Sequence, residues 1–65
     1  MRLDRAINRM EKNLEFLYEK VAKIEQRAEE KHRPLTENEK DTIQELLAEI
    51  DSLELALDLL HEYSN

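Results

Sequence analysis

The amino-acid sequence predicts an all-α protein: an antiparallel helical hairpin of the coiled-coil type that dimerises into a four-helix bundle. One reason is composition, because glycine is absent, proline occurs once and charged residues make up 40% of the 65 positions. Long helices and coiled coils have such compositions, whereas mixed folds do not. The second reason is that two runs of apolar residues repeat at alternating spacings of three and four, a regularity that also argues against disorder.

The first predicted helix covers residues 2–32, and an unbroken apolar seam runs along it for about four heptads. The seam residues are Leu3, Ile7, Met10, Leu14, Leu17, Val21, Ile24 and Ala28. Pro34 predicts the end of this helix, because proline has no N–H to donate and pushes the preceding residue out of the helical conformation.

Residues 33–36 are predicted to form a turn, and residues 37–62 the second helix. Thr36 and Glu39 have the spacing of a capping box, in which each side chain accepts the backbone N–H of the other residue. The second helix has an apolar seam of the same period as the first. Its seam residues are Ile43, Leu46, Ile50, Leu53, Leu57 and Leu60. Because the connection is short, the two helices should be antiparallel neighbours.

A single hairpin has one seam as its whole core, and a chain this short usually needs a staple or a partner subunit. Cysteine is absent, so neither disulfides nor thiolate metal sites can supply that stability. We therefore expect the seam residues of both helices to carry self-association. The chain, as one domain of residues 1–65, should work as a homo-oligomer, a dimer of hairpins.

Five apolar residues outside the seams are candidates for contacts with a partner: Phe16, Tyr18, Leu55, Leu59 and Tyr63. Leu55 and Leu59 stand one turn apart, on the side of the second helix that faces away from its seam. One interpretation is that these side chains complete the core of the homodimer. The other is that Leu55 and Leu59 form a docking patch for a different protein.

Charge is divided unevenly between the two halves of the chain. Residues 1–33 hold nine basic and seven acidic residues, a formal charge of +2, whereas residues 34–65 hold one lysine and nine acidic residues, a charge of −8. The two halves together give the net charge of −6. This asymmetry favours pairing of the first helix with the second over pairing of like helices.

The basic residues Arg2, Arg5, Arg9 and Lys12 recur at spacings of three and four and form a strip on the outer side of the first helix. Such a strip can contact the phosphates of a nucleic acid. The strip is short, lacks an aromatic residue and belongs to an acidic chain. We therefore expect a solvated face, or one that pairs with the acidic second helix.

The residues offer no arrangement for catalysis and no site for a metal or cofactor. Without glycine the chain cannot form a glycine-rich phosphate loop, and neither serine belongs to a nucleophile constellation. Two carboxylate–histidine pairs, Glu29 with His32 and Asp58 with His61, have the spacing found in di-metal helical bundles. Both pairs lie at predicted helix ends without an accompanying inward glutamate, so we expect surface histidines and a non-enzyme.

The sequence also predicts a cytoplasmic protein without membrane contact. No stretch approaches the roughly 20 apolar residues of a membrane span, and the N-terminus lacks the apolar core of a signal peptide. The absence of cysteine fits a reducing compartment.

The turn contains Arg33, Leu35, Thr36 and Glu39, and the second helix contains the run Glu-Ile-Asp-x-Leu at 49–53. With these residues the chain, over about residues 20–57, resembles the delta, or scaffolding, domain of tailed-phage major capsid proteins. It implies a coiled-coil element that nucleates shell assembly by self-association. In architecture the chain also resembles the Rop family of plasmid copy-number proteins, dimers of α-hairpins that bind RNA loops.

The predicted function is protein–protein interaction: a small acidic, self-associating hairpin that serves as a scaffold, adaptor or inhibitor subunit, with a phage-encoded scaffold as one form. Two alternatives stay open. One is a Rop-like dimer that binds nucleic acid through the basic strip. The other is an acidic mimic of nucleic acid, whose nine carboxylates in the second half block a basic groove on a host protein.

Overall fold

The computed structural model describes residues 2–64 and consists of two long α-helices joined by a short loop. Helix α1 is Arg2–Glu30 and helix α2 is Glu37–Ser64. The two helices pack lengthwise against each other, and the hairpin is a rod with extents of 47 × 16 × 13 Å. The prediction of an all-helical hairpin is therefore confirmed, whereas pairing of two hairpins into a four-helix bundle stays a prediction.

Helix α1 ends at Glu30, two residues earlier than predicted, because His32 leaves the helical conformation. The φ angle of His32 is 51°, in the left-handed region. The N–H groups of His32 and Arg33 donate to the carbonyls of Glu29 and Ala28 at 3.0 and 3.1 Å. These two hydrogen bonds form a Schellman cap, which satisfies carbonyls of the last turn. The cap normally uses glycine, but this chain has none, so a histidine occupies the left-handed position.

Helix α2 begins at Glu37, as predicted, and its first turn is capped by Thr36 and Glu39. The N–H of Glu39 donates to Thr36 Oγ1 at 3.1 Å, and the N–H of Thr36 donates to Glu39 Oε1 at 2.9 Å. The predicted capping box is therefore confirmed. The helix continues to Ser64, two residues beyond the predicted end, because no glycine or proline follows its last seam residue.

Arg33 ties the loop to the start of α2 through the same carboxylate. Its two guanidinium nitrogens Nη1 and Nη2 donate to Glu39 Oε1 and Oε2 at 2.8 and 3.3 Å, a bidentate pair. The hydrogen bond from Arg33, followed by the one from the N–H of Thr36, lowers the pKa of Glu39 to about 2. One carboxylate thus caps α2 and anchors the residue that leaves α1.

The core is one layer of seam side chains between the two helices. Ile50 is the most buried of them, at 2% exposed, and it clusters with Leu17 and Leu46. Around this cluster pack Leu14, Val21, Ile24 and Leu53. No side chain in the described part of the chain is completely enclosed. A core of this kind is in contact with water along both of its long edges.

Replacing His32 with glycine should stabilise the protein by about 1 kcal/mol, because glycine adopts the left-handed conformation without a clash of Cβ. The free energy of unfolding from urea denaturation at fixed protein concentration measures the effect. His32→Ala is the matched control, since alanine keeps the Cβ and should give no gain. Equal effects of the two substitutions would contradict this account of the cap.

The pair between Arg33 and Glu39 should make stability depend on pH in the acid range. The folded state lowers the pKa of Glu39 from 4.5 to about 2. The pair therefore contributes its full stability above about pH 4.5 and loses it as the pH falls towards 2. The difference in unfolding free energy between the wild type and Glu39→Gln should shrink over this window. Arg33→Gln should remove most of the same dependence, and parallel pH curves for wild type and both variants would argue against the pair.

Candidate functional site

The outer side of α2 carries a second line of small and apolar residues, which we call the leucine face: Ala48, Ser52, Leu55 and Leu59. All four residues are exposed, and the side chains of Leu55 and Leu59 are 66% and 50% exposed. Each residue turns a helix by about 100°, so Leu55 points about 180° away from the seam. The spacings of four, three and four are those of a heptad seam, but nothing in the hairpin covers this one.

Acidic residues surround the leucine face. Glu45 stands three residues before its first member and Glu62 three residues after its last, and Asp51 lies on its flank. All three are exposed. The leucine face is therefore a small apolar patch in a negatively charged border, which is the usual arrangement of a protein-interaction site with an apolar centre and a polar rim.

The outer side of α1 is basic along most of its length, and we call it the basic face. Its exposed cations are Arg5, Arg9, Lys12, Lys20, Lys23 and Arg27. By helical periodicity all six point within a sector of about 80°. Phe16 lies among them, 56% exposed, and the ammonium of Lys20 is 4.6 Å from the centre of its ring. This is a cation–π contact.

The basic strip predicted between Arg2 and Lys12 is the first part of this longer basic face. The same spacings of three and four continue from Lys12 through Phe16 to Lys23 and Arg27. The helical period of the sequence therefore indicates the full face, with an aromatic residue in it. The side chain of Arg2, the first predicted member of the strip, lies outside the described side chains.

Tyr18 bridges the two helices along one edge of the rod. Its hydroxyl donates to Glu54 Oε2 at 3.1 Å. This hydrogen bond to a carboxylate, more than any other cause, raises the pKa of the Tyr18 phenol. Leu47, which was not among the predicted contact residues, lies on this same edge and is 45% exposed. Tyr18, predicted to contact a partner, thus already has a partner within its own chain.

The opposite edge of the rod is more apolar, and we call it the bundle face: Ala6, Ile24, Leu53, Ala56 and Leu60. All five side chains are half-buried. Viewed along each helix from its N-terminus, these residues lie to the same side of the seam. Because the two helices are antiparallel, this places all five on one long edge of the rod. A shallow groove on this edge is lined by Lys20, Lys23, Ile24, Arg27, Thr42 and Leu46.

The predicted self-association residues divide into two groups by burial. Buried inside the hairpin are Ile7, Leu17, Leu46, Ile50 and Leu57. Half-buried are Leu3, Met10, Leu14, Val21, Ile24, Ile43, Leu53 and Leu60. The second group has apolar area left for a partner, and a role in self-association stays a prediction for both groups. Tyr63, predicted to contact a partner, is 80% exposed near the end of α2.

The two carboxylate–histidine pairs, Glu29 with His32 and Asp58 with His61, belong to no larger cluster of metal-ligating side chains within residues 2–64. Between residues 2 and 64, no three side chains of histidine, cysteine, aspartate or glutamate come together as metal ligands would. His32 belongs to the loop, and His61 lines a shallow groove with Glu54 and Asp58. Neither helix, over the residues that the structure describes, has the length and apolar character needed to cross a bilayer.

The chain matches no protein-family model, no curated protein and no solved structure. The resemblances to the capsid scaffolding domain and to the Rop family therefore stay predictions. Function has to be inferred from the leucine face, the basic face and the bundle face themselves.

The hydrogen bond between Tyr18 and Glu54 can be measured in solution. In a Tyr63→Phe background Tyr18 is the only tyrosine, and its absorbance should report a pKa above the ordinary value of 10.0. Adding Glu54→Gln should lower this pKa, because a neutral acceptor no longer disfavours the phenolate. Glu62→Gln, on the outer side of α2, is the matched control. A pKa of Tyr18 that does not respond to Glu54→Gln would exclude the contact.

Proposed function

We propose that this hairpin is a non-enzymatic protein–protein interaction module, and that two copies associate through their bundle faces into a four-helix bundle. One observation carries the proposal: the core is a single seam with no fully enclosed side chain among residues 2–64. A chain of this size buries too little apolar surface to be more than marginally stable alone. A second copy on the bundle face would cover one edge of the seam and exclude water from the apolar side chains along it.

The dimensions of the rod suit such a dimer. One broad side of 47 × 16 Å offers on the order of 700 Å² per copy, close to the 800 Å² per partner of a standard stable interface. At about 25 cal/mol per Å² of apolar area, even half of this surface gives several kcal/mol per copy before the cost of association. The bundle face is thus large enough to hold two hairpins together.

Charges along the bundle face favour one arrangement of the two hairpins. Lys20 and Arg27 border this face on α1, and Glu45 and Glu49 border it on α2. A twofold axis parallel to the helices lays α1 of one copy over α2 of the other and brings these opposite charges together. An axis across the helices would set α1 on α1 and α2 on α2, which brings like charges together.

As a biological role for the dimer, we propose an assembly or scaffold element, with adaptor or inhibitor subunit as other forms of the same module. The resemblance to the delta domain of phage capsid proteins supports the scaffold form. A second candidate is nucleic-acid binding by a Rop-like dimer, which the length of the basic face and its central Phe16 support. The acidic-mimic alternative has less support, since the leucine face interrupts the carboxylates of α2.

A charge placed on the bundle face should separate the two hairpins. Ala56→Glu puts a carboxylate beside Leu53 and Leu60, and it should weaken dimerisation at least about 30-fold, or about 2 kcal/mol. Sedimentation equilibrium over a range of concentrations measures the change. Ala22→Glu, an exposed alanine on the opposite edge, is the matched control and should leave the mass unchanged. A wild-type protein that is folded and monomeric at all concentrations would refute the proposed dimer.

A further inference from the structure

The proposed dimer leaves the leucine face uncovered. By helical periodicity the centre of this face lies about 100° around α2 from the residues that α2 contributes to the bundle face. Leu55 and Leu59 are 66% and 50% exposed, and Tyr63, one turn beyond Leu59, is 80% exposed. Three large apolar side chains therefore stand in one line on the outer side of α2, where a second copy on the bundle face does not reach them.

The spacing of the leucine face fits a helix as its partner. Spacings of four, three and four are those of a coiled-coil seam, and such a seam is normally covered by the apolar side of another helix. From Ala48 to Leu59 the face is about 17 Å long, or about three turns. Ala48 and Ser52 leave room for large side chains of the partner, whereas Leu55 and Leu59 project towards it.

The charges around the leucine face fit a basic partner. After Asp41, α2 contains no lysine or arginine. Glu45 and Glu62 occupy the two positions at which the seam spacing would continue, about 26 Å apart, and Asp51 and Asp58 flank the face on the side away from the bundle face. All of these carboxylates are exposed. A partner helix with cations beside its apolar line would meet opposite charge along its length and at both ends.

The chain itself does not offer a matching helix. A second leucine face would bring carboxylates against carboxylates. The basic face of α1 has the right sign of charge, but among the described residues Phe16 is the one large apolar side chain exposed within it. The ammonium of Lys20 lies 4.6 Å from the centre of that ring. The basic face therefore has no apolar line of three turns to lay on Leu55 and Leu59.

We propose that the leucine face binds a basic amphipathic helix of a different protein. The partner helix has an apolar line of about three turns, with lysine or arginine along its flanks and beyond both ends. The inference deepens the proposed interaction function, on which it rests, by naming the chemistry of the partner. The twofold axis of the proposed dimer would point its two leucine faces in opposite directions, so that one dimer holds two partner helices.

A synthetic peptide of about 18 residues is the probe, with leucines at spacings of four, three and four and lysines on the flanks and at both ends. Fluorescence anisotropy of the labelled peptide should show saturable binding to the full chain, at one peptide per chain. A peptide of the same composition in permuted order, without the leucine line, should bind at least about tenfold more weakly. Equal binding of the two peptides, or equal binding of a version with glutamate for lysine, would overturn the proposal.

Substitutions on the leucine face should weaken binding of the leucine–lysine peptide at least about tenfold. Leu55→Gln with Leu59→Gln removes apolar area without a change of charge. Leu47→Gln, at an exposed leucine on the Tyr18 edge, is its matched control and should bind as the wild type does.

Asp51→Lys with Glu62→Lys reverses the border, and should also weaken binding at least about tenfold. Glu45 stays unchanged in this variant because it also borders the bundle face. Glu11→Lys with Glu29→Lys changes the net charge equally on α1. At an ionic strength of about 0.15 M the screening length is about 8 Å, so this control should bind close to wild type. Equal losses in the variant and the control would contradict a defined site.

Sedimentation equilibrium of the same proteins separates this inference from the proposed dimer. The substituted positions lie off the bundle face, so every variant should keep the mass of the wild type. A dimer that does not bind the leucine–lysine peptide overturns the inference and leaves the dimer intact, whereas a monomer that binds it overturns the dimer alone. Growth of the wild type beyond the dimer mass, abolished by Leu55→Gln with Leu59→Gln, would make a second copy the occupant and overturn the inference.

Discussion

The structure depends on one constraint: a single layer of apolar side chains has to hold two long helices together. Ile50, Leu17 and Leu46 form its centre, and nothing in the hairpin lies above or below them. The hydrophobic effect scales with the area removed from water, so a layer with two open edges gains only part of what its residues could give. This shortfall is the physical reason for proposing a second copy on the more apolar edge.

The helical period then sorts the remaining residues into surfaces of distinct character. On α1 the cations occupy one outer sector with Phe16, and on α2 the outer sector holds Leu55 and Leu59 among carboxylates. The two outer sides of the thin rod therefore carry charges of opposite sign.

The loop shows how the chain manages a sharp reversal without glycine. His32 takes the left-handed position of the cap, at a cost in conformational energy, and Arg33 follows in direct contact with Glu39. Glu39 in turn caps the first turn of α2 with Thr36. The two helix ends are therefore stabilised by one connected set of hydrogen bonds. This fixes where α1 stops and α2 starts, and through that the level of one helix against the other.

The sequence alone determined the two helices, their seams and the capping box, because each depends on spacings within a few turns of one helix. It also indicated the outward position of Leu55 and Leu59 for the same reason. The end of α1 was predicted two residues too late. Pro34 was the stop signal on which the prediction relied, whereas the helix ends earlier because His32 adopts the left-handed conformation of the cap. The full basic face can be predicted from the sequence, because the spacing of its cations continues past Lys12 to Arg27.

Only the tertiary structure decided how the two helices stand relative to each other. The contact of Tyr18 with Glu54 joins residues that are 36 positions apart, and no local pattern specifies which residue of α2 lies beside Tyr18. That register decides which seam residues of the two helices meet in the core, such as Leu17 with Leu46 and Ile50. Local spacing fixes the direction in which a side chain points from its own helix, whereas its level against the other helix follows from the length of the loop and the packing of the whole seam.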